Sequence, residues 1–221
     1  MTMANTLQDP KVASTLDRMY TAAQDQMALL RDRQGEFSRP MTVQERTEAM
    51  SEFYIPVTPD AGRLLYGLVR ATRPGTIVEF GMSFGISAIH LAAGVRDNGT
   101  GRVVTTELSE TKIAAAKQTF AGTGLDDVIT ILEGDALATL PELGGPVDFV
   151  LLDGWKDLYL KVIQLLEPSL SSGALVIADN TEAADTRSYL DHVRNPDNGY
   201  VSFNFPARAS DSMELSCWTG G

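Results

Sequence analysis

From Thr76 onward the chain alternates short apolar runs with longer segments whose apolar residues recur every three or four positions. The runs are TIVEF (76–80), RVVTTE (102–107), VITIL (128–132), VDFVLL (147–152) and ALVIA (174–178). Strands buried on both faces read as near-continuous apolar runs, and strands that alternate with helices imply a parallel sheet covered on both sides. One of the intervening segments, 157–166, sets Leu158, Val162, Leu165 and Leu166 on a single helical face. The last two runs, YVSFNF (200–205) and MELSCW (213–218), alternate with no helix between them, which predicts an antiparallel pair at the end of the sheet.

Upstream, Val12, Leu16, Met19, Tyr20, Ala23, Met27 and Leu30 draw one apolar stripe on a helix over 10–32. The polar stretch RDRQGEFSRPMT, broken by Gly35 and Pro40, separates that helix from a second helical stretch and from YIPVTPDAGRLLYGLVRA. In the latter, Thr58 or Asp60 would cap a helix whose Leu64, Leu65, Leu68 and Val69 face inward. No interdomain linker is visible. The expectation is an N-terminal helical extension over 1–54, serving the acceptor pocket or a dimer contact, followed by one α/β domain over 55–221.

Composition narrows the function. No apolar run approaches the roughly 20 residues that cross a bilayer, and the N-terminal MTMANTLQDPK lacks a basic segment followed by an apolar one, so a cytoplasmic protein without a membrane role is expected. The net charge of −11 opposes a nucleic-acid backbone and favours a small-molecule substrate. Cys217 is the single cysteine and sits in an alternating apolar run, which reads as a core side chain. His90 and His192 both fall in helical stretches, and with no cysteine cluster they give no basis for zinc.

In open α/β sheets ligands bind beyond the carboxyl ends of the strands. The first strand runs into VEFGMSFGISAIHLAAG, where Gly81 and Gly85 would let backbone approach a ligand and Ser87 opens the next helix. The spacing is Gly-x-x-x-Gly and lacks the Gly-x-Gly-x-x-Gly of a pyrophosphate turn, which disfavours a dinucleotide. The second strand ends at Glu107, placed to accept hydrogen bonds from ribose hydroxyls. The third leads to Asp135 and Ala136, where an adenine edge could be read. Together these predict a nucleoside.

Asp153 ends the fourth strand, and Asp179 with Asn180 ends the fifth. If those strands are parallel neighbours, two carboxylates and an amide oxygen emerge at one edge, a donor set that suits magnesium or another hard divalent cation. Trp155 would wall the pocket. Lys156 would take the proton of a metal-held hydroxyl once desolvation and the metal weaken its own hold on a proton.

The glycine loop, the ribose acid and LLDGWKDLY…VIADN together resemble the cation-dependent class I O-methyltransferases, the family of catechol and caffeoyl-CoA O-methyltransferases, over roughly residues 55–218. The resemblance implies a Rossmann-like fold with seven mostly parallel strands, the last antiparallel, helices on both faces and extra helices at the N-terminus. It also implies S-adenosylmethionine and magnesium as cofactors. Its metal ligands fall on Asp153, Asp179 and Asn180, its general base on Lys156, and its methionine-binding loop on Glu79, Gly81, Gly85 and Ser87. Val57, Ser83, Asp153 and Trp155 join Glu107, Asp135 and Ala136 as further cofactor contacts. The segment DGWKD is closest to the catechol-type enzymes, whose substrate-side glutamate is replaced here by Phe205 or Pro206. The implied reaction is methyl transfer to a hydroxyl of a small aromatic vicinal diol. Competing readings are a methyltransferase acting on a tRNA hydroxyuridine, a non-catalytic S-adenosylmethionine-binding protein and, weakest, a nicotinamide-dependent oxidoreductase.

Overall fold

The computed structural model describes residues 5–33 and 41–220. Helix α1 (Pro10–Asp32) opens where the Asp9 side chain accepts from the Lys11 amide and Pro10 supplies a preset φ. It buries Val12, Leu16, Met19 and Ala23. The stripe then leaves the core: Met27 is 55% exposed and Leu30 only half-buried, so the last turns do not follow the pattern expected of them. Residues 34–40, most of the polar break with its Gly35 and Pro40, lie outside the described residues. Helix α2 (Val43–Ala49) starts at a capping box in which Thr42 and Glu45 satisfy each other's backbone amides. Thr58, rather than Asp60, caps α3 (Pro59–Thr72), whose Leu65 and Val69 are fully buried while Leu64 and Leu68 are partly so.

Strands β1 (Thr76–Phe80), β2 (Arg102–Glu107) and β4 (Val147–Leu152) match the predicted runs residue for residue. Strand β3 (Ile129–Glu133) begins one residue late, because the Val128 amide closes a turn on the Leu125 carbonyl. Strand β5 (Leu170–Ala178) begins four residues early, across a polar stretch that meets β4 through an irregular register. The intervening helices are α4 (Ile86–Asn98), α5 (Glu110–Thr123), the short α6 (Ala136–Thr139), α7 (Tyr159–Leu166) and α8 (Arg187–Arg194). The helix expected over 157–166 opens with a 3-10 turn, Lys156–Leu158, ahead of α7.

The seven strands lie in the order β3-β2-β1-β4-β5-β7-β6. Pairings from β3 through β5 are parallel, and β7 (Asp211–Trp218) runs antiparallel to both β5 and the edge strand β6 (Tyr200–Arg208). Successive residues of one strand serve opposite faces. Ile77, Phe149, Leu151 and Ile177 pack with α1, α3 and α4, while Val78, Val150, Leu152 and Val176 pack with α7 and α8. Cys217 is half-buried, not the core side chain its run predicted, because it lies near the end of β7 opposite the exposed Val201 of the edge strand.

The chain winds outward from β1 through β2 and β3, then returns to lay β4 on β1's other side. The order therefore reverses between β1 and β4, and a crevice opens beyond the carboxyl ends of those two strands.

Candidate active site

Two loops meet at the reversal. Gly81, after β1, has φ +95°, and a Cβ there would lie 2.5 Å from the Gly154 Cα. Gly85, with φ +92°, caps α4, and a Cβ there would lie 2.6 Å from the Phe120 ring. Both glycines are thus required by backbone conformation and by protein packing. Between them Ser83 also takes a left-handed conformation, φ 51°, and its amide donates to Glu107 Oε2 at 2.8 Å. Glu107 Oε1 accepts from the Leu108 and Ser109 amides, so the carboxylate at the end of β2 pins the tip of the glycine loop. Asp135 caps α6 through the Leu137 amide, and both it and the buried Ala136 border the crevice.

Glu79 lies beneath this loop, fully buried. Its Oε2 accepts from the Thr105 hydroxyl at 2.5 Å, and its Oε1 has no hydrogen-bond partner. Burial pushes its carboxyl up to about 7, with the Ser87 and Thr105 hydroxyls opposing and the Glu107 charge adding to the rise.

The ends of β4 and β5 carry the acidic cluster. Leu152 pairs with Ala178, which brings Asp153 and Asp179 out as neighbours at one sheet edge. Lys156 Nζ lies 3.3 Å from Asp153 Oδ1 and 5.3 Å above the Tyr159 ring. Burial pushes Asp153 up to about 7; Lys156 pulls it down, and Asp179 and Glu79 push it further up. Asp179, 1% exposed, is likewise raised by burial, against the Arg208 guanidinium 3.3 Å from its Oδ2; its Oδ1 has no partner. Asn180 takes a left-handed conformation, φ 58°, and commits its amide nitrogen to Asp211 at 2.6 Å, which leaves the carbonyl oxygen as its free donor atom. Two mutually repelling carboxylates, one with an orphaned buried oxygen, and a free amide oxygen fit a hard cation. Among the described residues no three His, Cys, Asp or Glu side chains converge, so the amide would complete the set.

The crevice holds a cavity of about 390 Å³ bordered by Gly81, Ser83, Glu107, Asp135, Ala136, Asp153, Trp155, Lys156 and Asn180, within the usual range for small-molecule sites. A narrow extension passes Gly81 and Ser83 to Ser87. Val57, Glu79, Gly85 and Asp179 border neither space, and the Val57 side chain is 1% exposed in the core.

One wall comes from residues that the sequence reading did not name, within the extension it expected to serve the acceptor pocket or a dimer contact. Val43, Arg46, Thr47 and Met50, on or beside α2, border the cavity. Thr47 Oγ1 accepts from Trp155 Nε1 at 3.3 Å, and Arg46 lies 4.7 Å over the Trp155 ring while gripping Asp157 with both terminal nitrogens. The capping box locates α2 in the sequence, but nothing local says where it docks. Lys112 on α5 also borders the cavity. Phe205 is partly buried against the core, and the hairpin it belongs to delivers Arg208 and Asp211 to the β5 end.

Comparison with known proteins agrees with this architecture. A methyltransferase-domain family model matches residues 78–181. The catechol O-methyltransferase of Sus scrofa is 32% identical over 140 residues, covering 60% of this chain and 74% of that protein. Catechol O-methyltransferase B of Danio rerio is 29% identical over 181 residues, covering 76% and 67%. Among solved structures, cofactor-bound Rv0187 of Mycobacterium tuberculosis superposes with a TM-score of 0.73 at 24% identity over 97% of this chain and 92% of that one. The Bacillus cereus O-methyltransferase bound to S-adenosylhomocysteine gives 0.69 at 20% identity over 90% and 99%.

The fold and crevice are those of a class I S-adenosylmethionine-dependent O-methyltransferase acting on a small molecule. Within that class the chain belongs to the family of the catechol O-methyltransferases. No described helix is long and apolar enough to cross a membrane.

Proposed function

We propose that the chain transfers the methyl group of S-adenosylmethionine to one hydroxyl of a small aromatic vicinal diol, with a magnesium or similar divalent ion held by Asp153, Asp179 and Asn180. The observation that carries this reading is the meeting of those three oxygen donors with Lys156 at the ends of β4 and β5. A bound cation would neutralise the repulsion between the two aspartates and lower the acidity barrier of a hydroxyl beside it.

The chain's own residues then divide the work. Glu107 faces the ribose, Asp135 and Ala136 flank the adenine, and the loop from Gly81 to Ser87 carries the methionine portion. Glu79 and Asp153 present negative charge to the amino group. Trp155, held by Thr47 and Arg46, walls the acceptor space and keeps water from it. Lys156 takes the acceptor hydroxyl's proton. The acceptor oxygen then forms its bond to the methyl carbon as the sulfur–carbon bond breaks, with S-adenosylhomocysteine as the leaving group. Alignment along that axis and stabilisation of the oxyanion supply most of the rate.

The test is methyl transfer from S-adenosylmethionine into a panel of catechols, caffeic acid among them, with magnesium or with EDTA, read by mass spectrometry. Magnesium-dependent monomethylation supports the reading. Transfer at an undiminished rate in EDTA removes the cation from it, and transfer only to lone hydroxyls removes the vicinal diol.

A further inference from the structure

Three cations border the crevice, and two are occupied. Arg46 is gripped by Asp157 and stacked on Trp155, and Lys156 is paired with Asp153. The third, Lys112, has no ion pair or hydrogen bond from its Nζ to any other described residue, although the residue is only 5% exposed. It occupies the third position of α5, and side chains in the first turn of a helix lean back toward its N-terminus. That direction leads to the crevice. The ammonium rests 5.5 Å from the centre of the Phe84 ring, on the glycine loop, within the fields of Glu107 and Asp153. Burial lowers its proton affinity, and those two carboxylates only partly offset the effect.

A buried ammonium without a hydrogen-bonding anion is costly, and such a group facing a cavity is satisfied when a ligand brings the anion. Resting on the cofactor placement proposed above, a molecule that reaches from the ribose acid Glu107 toward Asp153 occupies the cavity that Lys112 also borders. Its only anionic group is the α-carboxylate, adjacent to the amine. We propose that Lys112 binds the α-carboxylate of S-adenosylmethionine, a cofactor contact that the chain's strand-end motifs do not predict.

The experiment is calorimetric titration of wild-type protein, Lys112→Met and Lys112→Arg with S-adenosylhomocysteine and with its decarboxylated analogue. A charge-assisted contact of this kind makes the wild type prefer the carboxylated ligand by about ten- to a hundredfold. Lys112→Met reduces that preference by about fivefold or more, and Lys112→Arg, which keeps the charge, largely retains it. Because each variant is compared between two ligands, general damage to the fold cancels. A preference unchanged within about twofold in Lys112→Met overturns the proposal. So does an unchanged preference accompanied by a higher KM for carboxylated but not neutral catechols, which would assign the anion to the acceptor. Glu107→Ala serves as the control on the underlying placement: weakened binding of both ligands supports it, whereas undiminished binding of both overturns the placement and the proposal together.

Discussion

Glu79 makes the ligand-free protein sensitive to pH in a direction that can be worked out in advance. Its carboxyl is fully buried, one oxygen lacks a partner, and burial moves it from 4.5 to about 7. Between those values the native state holds a proton that the unfolded chain has already released. Stability therefore falls as pH rises through that window, and the whole penalty is present above it. At about 1.4 kcal/mol per unit, the rise amounts to about 3 kcal/mol, a large part of the margin of an ordinary domain. Urea denaturation of ligand-free protein at about pH 5 and about pH 8 measures the loss, and the same pair of measurements on Glu79→Gln isolates this residue's share. The wild type should lose about 3 kcal/mol more than the variant across the interval. Parallel losses in both proteins would refute the reasoning. Saturating S-adenosylhomocysteine should shrink the wild-type slope if the cofactor's ammonium faces this charge.

Two further outcomes follow from the site. Lys156→Ala should leave S-adenosylhomocysteine affinity intact by calorimetry while lowering turnover by about 10²–10⁴, the range of a lost general base; wild-type turnover would remove Lys156 from the chemistry. Gly81→Ala should destabilise the protein by about 2–4 kcal/mol in thermal unfolding, since it combines a left-handed backbone with a Cβ driven into the Gly154 backbone, and an unchanged melting temperature would contradict that packing.

Much of the architecture was legible because β1, β2 and β4 are buried on both faces, so their ends coincide with the ends of apolar runs. The start of β5 was not, because Ser171, Ser172 and Gly173 carry no apolar signal and join the sheet only through pairing with its neighbours. Val128 shows the opposite failure: it is apolar, but its amide belongs to a turn. The site divides in the same way. Glu107, Asp135, Asp153 and Asp179 follow strands whose order the chain makes visible, whereas Arg46, Thr47, Lys112, Arg208 and Asp211 reach the crevice from helix faces and a hairpin whose docking no local pattern encodes. Gly81 and Gly85 also carry a packing role that the sequence does not reveal. Their missing side chains make room for the Gly154 backbone and the Phe120 ring, a packing demand that no local pattern announces.

The most direct test of the cation site is anomalous diffraction from crystals grown with S-adenosylhomocysteine and manganese as the magnesium substitute. The account predicts one peak bounded by Asp153, the free Oδ1 of Asp179 and the Asn180 carbonyl oxygen. Bound S-adenosylhomocysteine with no peak between those three residues would contradict it.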